Sequence, residues 1–91
     1  MPDIRRLIFA ERNEEHIAVD GVTPEEVREL GEANPLIERG REGKLLVWGR
    51  SSSGRHLLAV LVSRRRGAFY VVTAREMNPR KRARYNRWGR R

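Results

Sequence analysis

An α+β domain is the fold class this 91-residue sequence predicts, and three observations carry it. GVTPEEVRELGEANP holds the start and stop signals of one short helix. Residues 36–74 hold successive apolar and β-branched runs separated by turn residues. NPRKRARYNRW opens with a cap and a proline, then continues with helix-forming residues. The predicted order is β-α-α-β-β-β-β-α in a single domain over residues 1–91.

Residues 4–10, IRRLIFA, have the composition of a strand. Residues 11–18 suit a short helix closed near Asp20–Gly21. Thr23 is then a helix cap, Pro24 sits at the first helical position, and Glu26 at the third completes a capping box. Val27 and Leu30 form the inward stripe, and Asn34–Pro35 stops the helix. LIER (36–39) reads as an edge strand, REG (41–43) as a turn, KLLVWGR (44–50) as a second strand and SSSG (51–54) as a second turn. RHLLAVLVS (55–63) is almost continuously apolar, as a central strand buried on both faces is. RRRG (64–67) turns the chain, and AFYVVTA (68–74) is β-branched and aromatic, hence a strand.

Asn78 caps the last helix, with Pro79 at its first position, and the helix runs to about Trp88. Tyr85 and Trp88 lie three residues apart and share a face that can pin the helix to the sheet. Arg80, Arg84, Arg87 and Arg91 share another. The helix should therefore dock rather than trail as a basic tail.

A chain of this length can remove roughly 60–70% of its unfolded surface from water, enough for one core. The absence of cysteine excludes a disulfide framework, Cys-ligated zinc and a thiol nucleophile. No apolar run approaches the ~18 residues of a membrane span, and the apolar patch near the N-terminus is too short for a secretory signal. A soluble, cytoplasmic protein is the expectation.

The net charge of +8 is unevenly spread. Residues 1–43 carry six arginines against eleven acidic residues, whereas residues 44–91 carry fourteen Arg and Lys against the single Glu76. The excess of arginine over lysine fits genomic base composition, but that does not explain the asymmetry. A strongly positive face beside a mildly negative one implies an anionic partner.

Arg50 and Arg75 each close an apolar strand, and Arg55 opens the central one. A guanidinium binds phosphate bidentately and keeps its charge at any working pH, so clustered arginines suit a phosphodiester. If residues 44–50 and 55–63 form a hairpin, Arg50 and Arg55 share one end of the sheet. Arg75 is expected at that end only if the strand order departs from a simple meander. Arg80, Lys81, Arg82, Arg84 and Arg87 add a basic helix able to hold flanking nucleic acid, and Arg64–Arg66 suit an exposed turn. Cleavage of RNA without a metal needs one group to take the 2′-OH proton and another to protonate the leaving oxygen. His16, Asp20, His56, Glu76 and Tyr85 are the available groups, each with an ordinary structural role as an alternative. The His16–Asp20 spacing does not make a metal site, and no metal or other cofactor is expected.

Three motifs in order resemble the BrnT-like toxins of type II toxin–antitoxin pairs, a family of RelE/ParE-like fold. They are N-x-x-H-I-x-x-x-G-V-T-P-E-E-V (Asn13 to Val27), L-x-V-x-G-R-x-x-x-G-R-x-L (Leu45 to Leu57) and V-V-T-A-R-x-M-x-P-x-x-R-x-x-Y (Val71 to Tyr85). The resemblance spans about residues 5–88. It implies an antiparallel sheet of four to five strands with two N-terminal helices and one basic C-terminal helix. It also implies metal-independent endoribonuclease activity on RNA, including ribosome-associated mRNA, and a cognate antitoxin protein as partner. Carried over position by position, Arg50, Arg75, Tyr85 and His16 are its catalytic candidates. Arg55, Arg80, Lys81, Arg82, Arg84 and Arg87 are candidates for holding nucleic acid. The chain departs from many relatives at Asp20, where they have histidine, and at Lys81, where they have glutamate. Two other classes of function stand beside this one: a non-catalytic RNA- or DNA-binding module, and an interaction protein whose basic surface receives an acidic partner.

Overall fold

In the computed structural model the described residues are 7–32, 34–63 and 67–89. Five strands form one sheet: β1 (Leu7–Ile8), β2 (Leu36–Arg39), β3 (Lys44–Arg50), β4 (His56–Ser63) and β5 (Phe69–Glu76). Three helices complete the fold: α1 (Glu11–Val19), α2 (Pro24–Glu32) and α3 (Pro79–Gly89). The element order is the one the sequence predicts. The expected strand at residues 4–10 is described only from Leu7, and the Arg64–Arg66 turn and Arg91 lie outside the described residues.

The sheet order is β1-β5-β4-β3-β2. β2 to β5 form an antiparallel meander, but β1 pairs parallel with β5, matching Leu7 to Phe69 and Ile8 to Tyr70. The sheet is therefore mixed, which corrects the expectation of an antiparallel one. After β1 the chain crosses the sheet through α1 and α2 and re-enters at the far edge. The meander then returns β5 beside β1, running in the same direction.

Local signals in the sequence set the helix ends. Asp20 and Gly21 close α1. Gly21 takes a positive φ of 73°, and the Val22 and Gly21 amides donate to the carbonyls of Ile17 and Ala18. At the start of α2 the Glu26 amide donates to Thr23 Oγ1 at 3.2 Å, and Glu26 Oε1 accepts from the Thr23 amide at 3.1 Å. This is the capping box read from the sequence. The Lys81 amide donates to Asn78 Oδ1 at 2.8 Å, capping α3.

The alternation of side chains along the strands gives the sheet two unlike faces. On one face Leu45, Val47, Leu57, Ala59, Leu61 and Val71 pack with Ile17 of α1 and with Val27 and Leu30 of α2. Ile17, Leu30, Leu57, Leu61, Val47 and Val71 are fully buried there. Each stabilises the fold by about 1.5–3 kcal/mol relative to exposure. The other face carries a smaller cluster of Trp48, Leu58 and Met77, covered by Tyr85 and Trp88 of α3. α3 shields only part of this second face, and that incomplete cover creates the site.

One irregularity decides which side chains the open face displays. Val60 pairs with Thr73 but Leu61 pairs with Val71, so Val72 is an extra residue in β5. Phe69 and Val71 point to the helix-covered core. Without the bulge Thr73 and Arg75 would point there too. With it, Ala74 takes the core position and Arg75 stands opposite Leu58 on the open face.

Candidate functional site

Arg50 and His56 form the last pair of the β3–β4 ladder, and their side chains share the open face. Arg75 is one strand further along and two residues down, opposite Leu58. From strand spacing and rise, the Cα atoms of Arg50 and Arg75 lie roughly 12 Å apart. Two extended arginines can bracket one phosphodiester across that distance. The meander itself brings them to the same end, because β3 and β5 run in the same direction. This corrects the expectation that Arg75 reaches that end only through a different strand order.

The Ser51–Gly54 turn that presents Arg50 is held firmly. The Ser51 amide donates to the Arg55 carbonyl at 2.9 Å, and the Gly54 amide donates to the Ser51 carbonyl at 2.9 Å. Ser52 donates to Glu29 of α2 through its hydroxyl at 2.7 Å and its amide at 3.2 Å. These two bonds hold the Glu29 carboxyl below the usual range. Gly54 lies beneath Arg50: a Cβ there would stand 3.4 Å from a guanidinium nitrogen.

α3 roofs the site. The Tyr85 ring meets the His56 ring edge-on, 5.8 Å between centroids. Trp88 meets Trp48 edge-on at 5.3 Å. The Arg84 guanidinium lies 4.4 Å from the Trp88 centroid and 5.7 Å from that of Trp48, and donates to Glu38 at 3.0 Å. Arg84 therefore turns from the stripe expected with Arg80 and Arg87 toward the two indole rings, because it borders the face that carries Tyr85 and Trp88. It stays exposed, as do Arg80, Arg82 and Arg87.

Beside this roof runs an open groove of about 350 Å³, lined by Leu46, Trp48, Leu58, Val60 and Thr73, with Glu38, Arg75, Lys81 and Arg84 at its rim. Its floor is apolar and three of its four charged rim groups are cations. A larger cleft of about 460 Å³ at the opposite end of the sheet is lined by Arg39, Lys44, Leu45, Ser63 and Phe69 and by glycines. Its described lining holds Lys44 but no imidazole, carboxylate or phenol, whereas the Arg50 end of the sheet holds His56 beside Tyr85.

The sequence candidates divide in the structure. Arg50, Arg75, Lys81, Arg82 and Tyr85 come together on the open face. His16 does not join them: it is exposed on α1, whose Ile17 packs on the opposite face of the sheet. Arg55 also points to the helical side. Its Nη1 donates to both carboxylate oxygens of Glu26, at 2.9 and 3.0 Å, and to the Gly21 carbonyl at 2.9 Å, while Nη2 lies 3.6 Å from Glu76. Asp20 closes α1 and is exposed.

The histidine on the open face, beside Arg50 and Tyr85, is His56 and not His16. Partial burial, then the charges of Arg82 and Arg50, hold its pKa below the ordinary imidazole value, with Glu76 opposing them. The signal in the sequence was its place beside the SSSG turn, across from Arg50. Among the described residues no group of three or more histidine or acidic side chains is arranged to hold a metal ion. No helix among them is long and apolar enough to cross a membrane. Comparison with family models, curated proteins and solved structures finds no match for this chain.

Proposed function

We propose that this protein is a metal-independent endoribonuclease and the toxin of a type II toxin–antitoxin pair, with the RelE-like arrangement that its BrnT-like motifs imply. One observation carries the reading: Arg50, Arg75, Lys81 and Arg82 surround the end of a sheet face that the fold leaves open. The reaction is attack of the ribose 2′ oxygen on the adjacent phosphorus. The 2′-O–P bond forms, the P–O5′ bond breaks, and the products are a 2′,3′-cyclic phosphate and a 5′-OH. Negative charge builds on the non-bridging oxygens of the pentavalent transition state. Arginines placed on either side stabilise that charge more than they stabilise the ground state, which is the condition for catalysis. Lys81 and the exposed Arg80 and Arg87 hold the flanking strand, and the apolar groove floor receives an unstacked base.

The test is purified protein with end-labelled RNA in excess EDTA, beside Arg75→Ala. Cleavage to 2′,3′-cyclic ends is expected, falling by orders of magnitude in the variant while RNA affinity changes little. Equal losses in cleavage and affinity assign Arg75 to binding alone. RNA left intact by the wild-type protein, with and without ribosomes, overturns the reading. The apolar groove floor also favours a second occupant, an acidic amphipathic segment of the antitoxin laid over the same cations. The logarithm of RNA affinity should then fall linearly with log salt, at a slope near −0.7 per phosphate neutralised. Docking of the acidic segment should be less sensitive.

A further inference from the structure

We propose that His56 is the catalytic base that takes the 2′-OH proton, and that bound phosphate switches on its basicity. This rests on the ribonuclease reading above. His56 stands between the two arginines on the sheet, paired with Arg50 across the ladder and one step from Arg75 on the neighbouring strand. Its backbone is fixed from the other side, where the Met77 amide donates to the His56 carbonyl at 2.9 Å. The Tyr85 ring holds the imidazole edge-on at 5.8 Å. A phosphodiester lying between Arg50 and Arg75 puts its ribose over this imidazole.

The charged groups around His56 are Arg50 from β3, Arg75 and Glu76 from β5, and Arg82 from α3, with Arg55 preceding it in the chain. Tyr85 is the other titratable group facing it. Partial burial first, and then the charges of Arg82 and Arg50 against the opposing Glu76, lower the His56 pKa and so favour the neutral imidazole in the free protein. A neutral imidazole can accept a proton; an imidazolium cannot. The arriving phosphate neutralises part of the field of Arg50 and Arg82 and so raises the proton affinity of His56 when a 2′-OH is beside it. The proton then moves from the 2′ oxygen to the imidazole as the 2′-O–P bond forms. The expelled 5′ oxygen is protonated by solvent, and the imidazolium returns its proton to solvent.

The experiment follows both histidines of the full chain by NMR as pH is varied, with His16→Gln used to assign the two resonances. The probe is an RNA oligonucleotide with 2′-O-methyl groups, which binds but cannot be cut. The His56 pKa should rise when the probe binds. Cleavage of unmodified RNA should show an acid limb in kcat/KM that follows the pKa of free His56. His56→Gln should lose that limb and about 10²–10⁴ of the rate, with RNA affinity and melting temperature close to wild type. A His56 pKa unmoved by bound probe, or a wild-type acid limb that persists in His56→Gln, overturns the assignment of the base and leaves the ribonuclease reading standing. A wild-type protein that binds RNA and leaves it intact, with and without ribosomes, overturns both.

Discussion

Asn13 of α1 donates from its side-chain amide to the carbonyl of Val72, the extra residue of the β5 bulge, at 3.4 Å. A bulge leaves one backbone group without its ladder partner, and a side chain from the covering helix supplies one here. Because this bulge turns Arg75 to the open face, a residue on the helical side positions a side chain on the other. Asn13→Ala should cost about 0.5–1 kcal/mol, in keeping with a long, partly buried hydrogen bond. It should also lower RNA cleavage without changing the salt slope of RNA binding. Chemical denaturation and a salt series check both, and unchanged cleavage would show that the bulge holds Arg75 without help from α1.

Arg55 tests how far counting positive charge misleads. Its guanidinium joins the Glu26 carboxylate, which also closes the capping box of α2, to the loop after α1. Both side chains are more than two-thirds buried. Arg55→Ala should therefore destabilise the fold by about 2 kcal/mol, because it leaves a half-desolvated carboxylate short of its partner. RNA affinity should keep its wild-type salt slope. A slope reduced by the worth of one phosphate would place Arg55 on the RNA.

His56 also predicts how stability depends on pH. Its folded pKa lies below the ordinary imidazole value, so the unfolded chain takes up the proton first as pH falls. The stability linked to His56 is therefore full above about pH 6.5. It declines as pH falls from there toward the folded pKa and is level below it. Glu29 acts in a separate, more acidic window, because its folded pKa is also lowered: its contribution is lost as pH falls below 4.5. Denaturation between pH 7 and 5 should show the first decline in wild type and not in His56→Gln. A decline that survives the substitution would assign it to another group.

Much of the fold was legible because its signals are local. The Thr23–Glu26 box, the Asn78–Pro79 start and the apolar run of β4 each depend on residues close in sequence, and each appears where expected. Strand partners are not local, so the parallel pairing of β1 with β5 was missed. The Val72 bulge left no mark in a run of β-branched residues. The candidate site was half legible for the same reason. Arginines ending strands could be named, but which of them face an open surface depends on the bulge and on where α3 docks. His16 carried the motif and lies on the other side of the sheet, while His56, in a variable position of the motif, lies in the site.

Trp88 fixes α3 over that site. It packs edge-on against buried Trp48 and carries the Arg84 guanidinium on its ring. Trp88→Ala removes a half-buried ring, an aromatic pair and a cation–π contact, a loss of about 2 kcal/mol. For a domain of this size that is roughly a 10 °C fall in melting temperature. Melting unchanged by the substitution would show that Tyr85 alone docks the helix.

Gly54 and Gly21 offer a controlled comparison. Both have a positive φ, 90° and 73°, so alanine at either strains the backbone by about 1 kcal/mol. They differ in what the new methyl group meets. At Gly21 nothing lies within 4 Å, whereas at Gly54 the Arg50 guanidinium is 3.4 Å away. A flexible arginine can yield at small cost to stability, but on the proposed ribonuclease reading yielding would move its charge away from the phosphate. Gly54→Ala and Gly21→Ala should therefore melt within a few degrees of each other, while RNA cleavage falls about tenfold or more only in Gly54→Ala, since small misplacements of a charge-stabilising group are costly in rate. Equal cleavage by the two variants would show that strand β3 alone sets the position of Arg50.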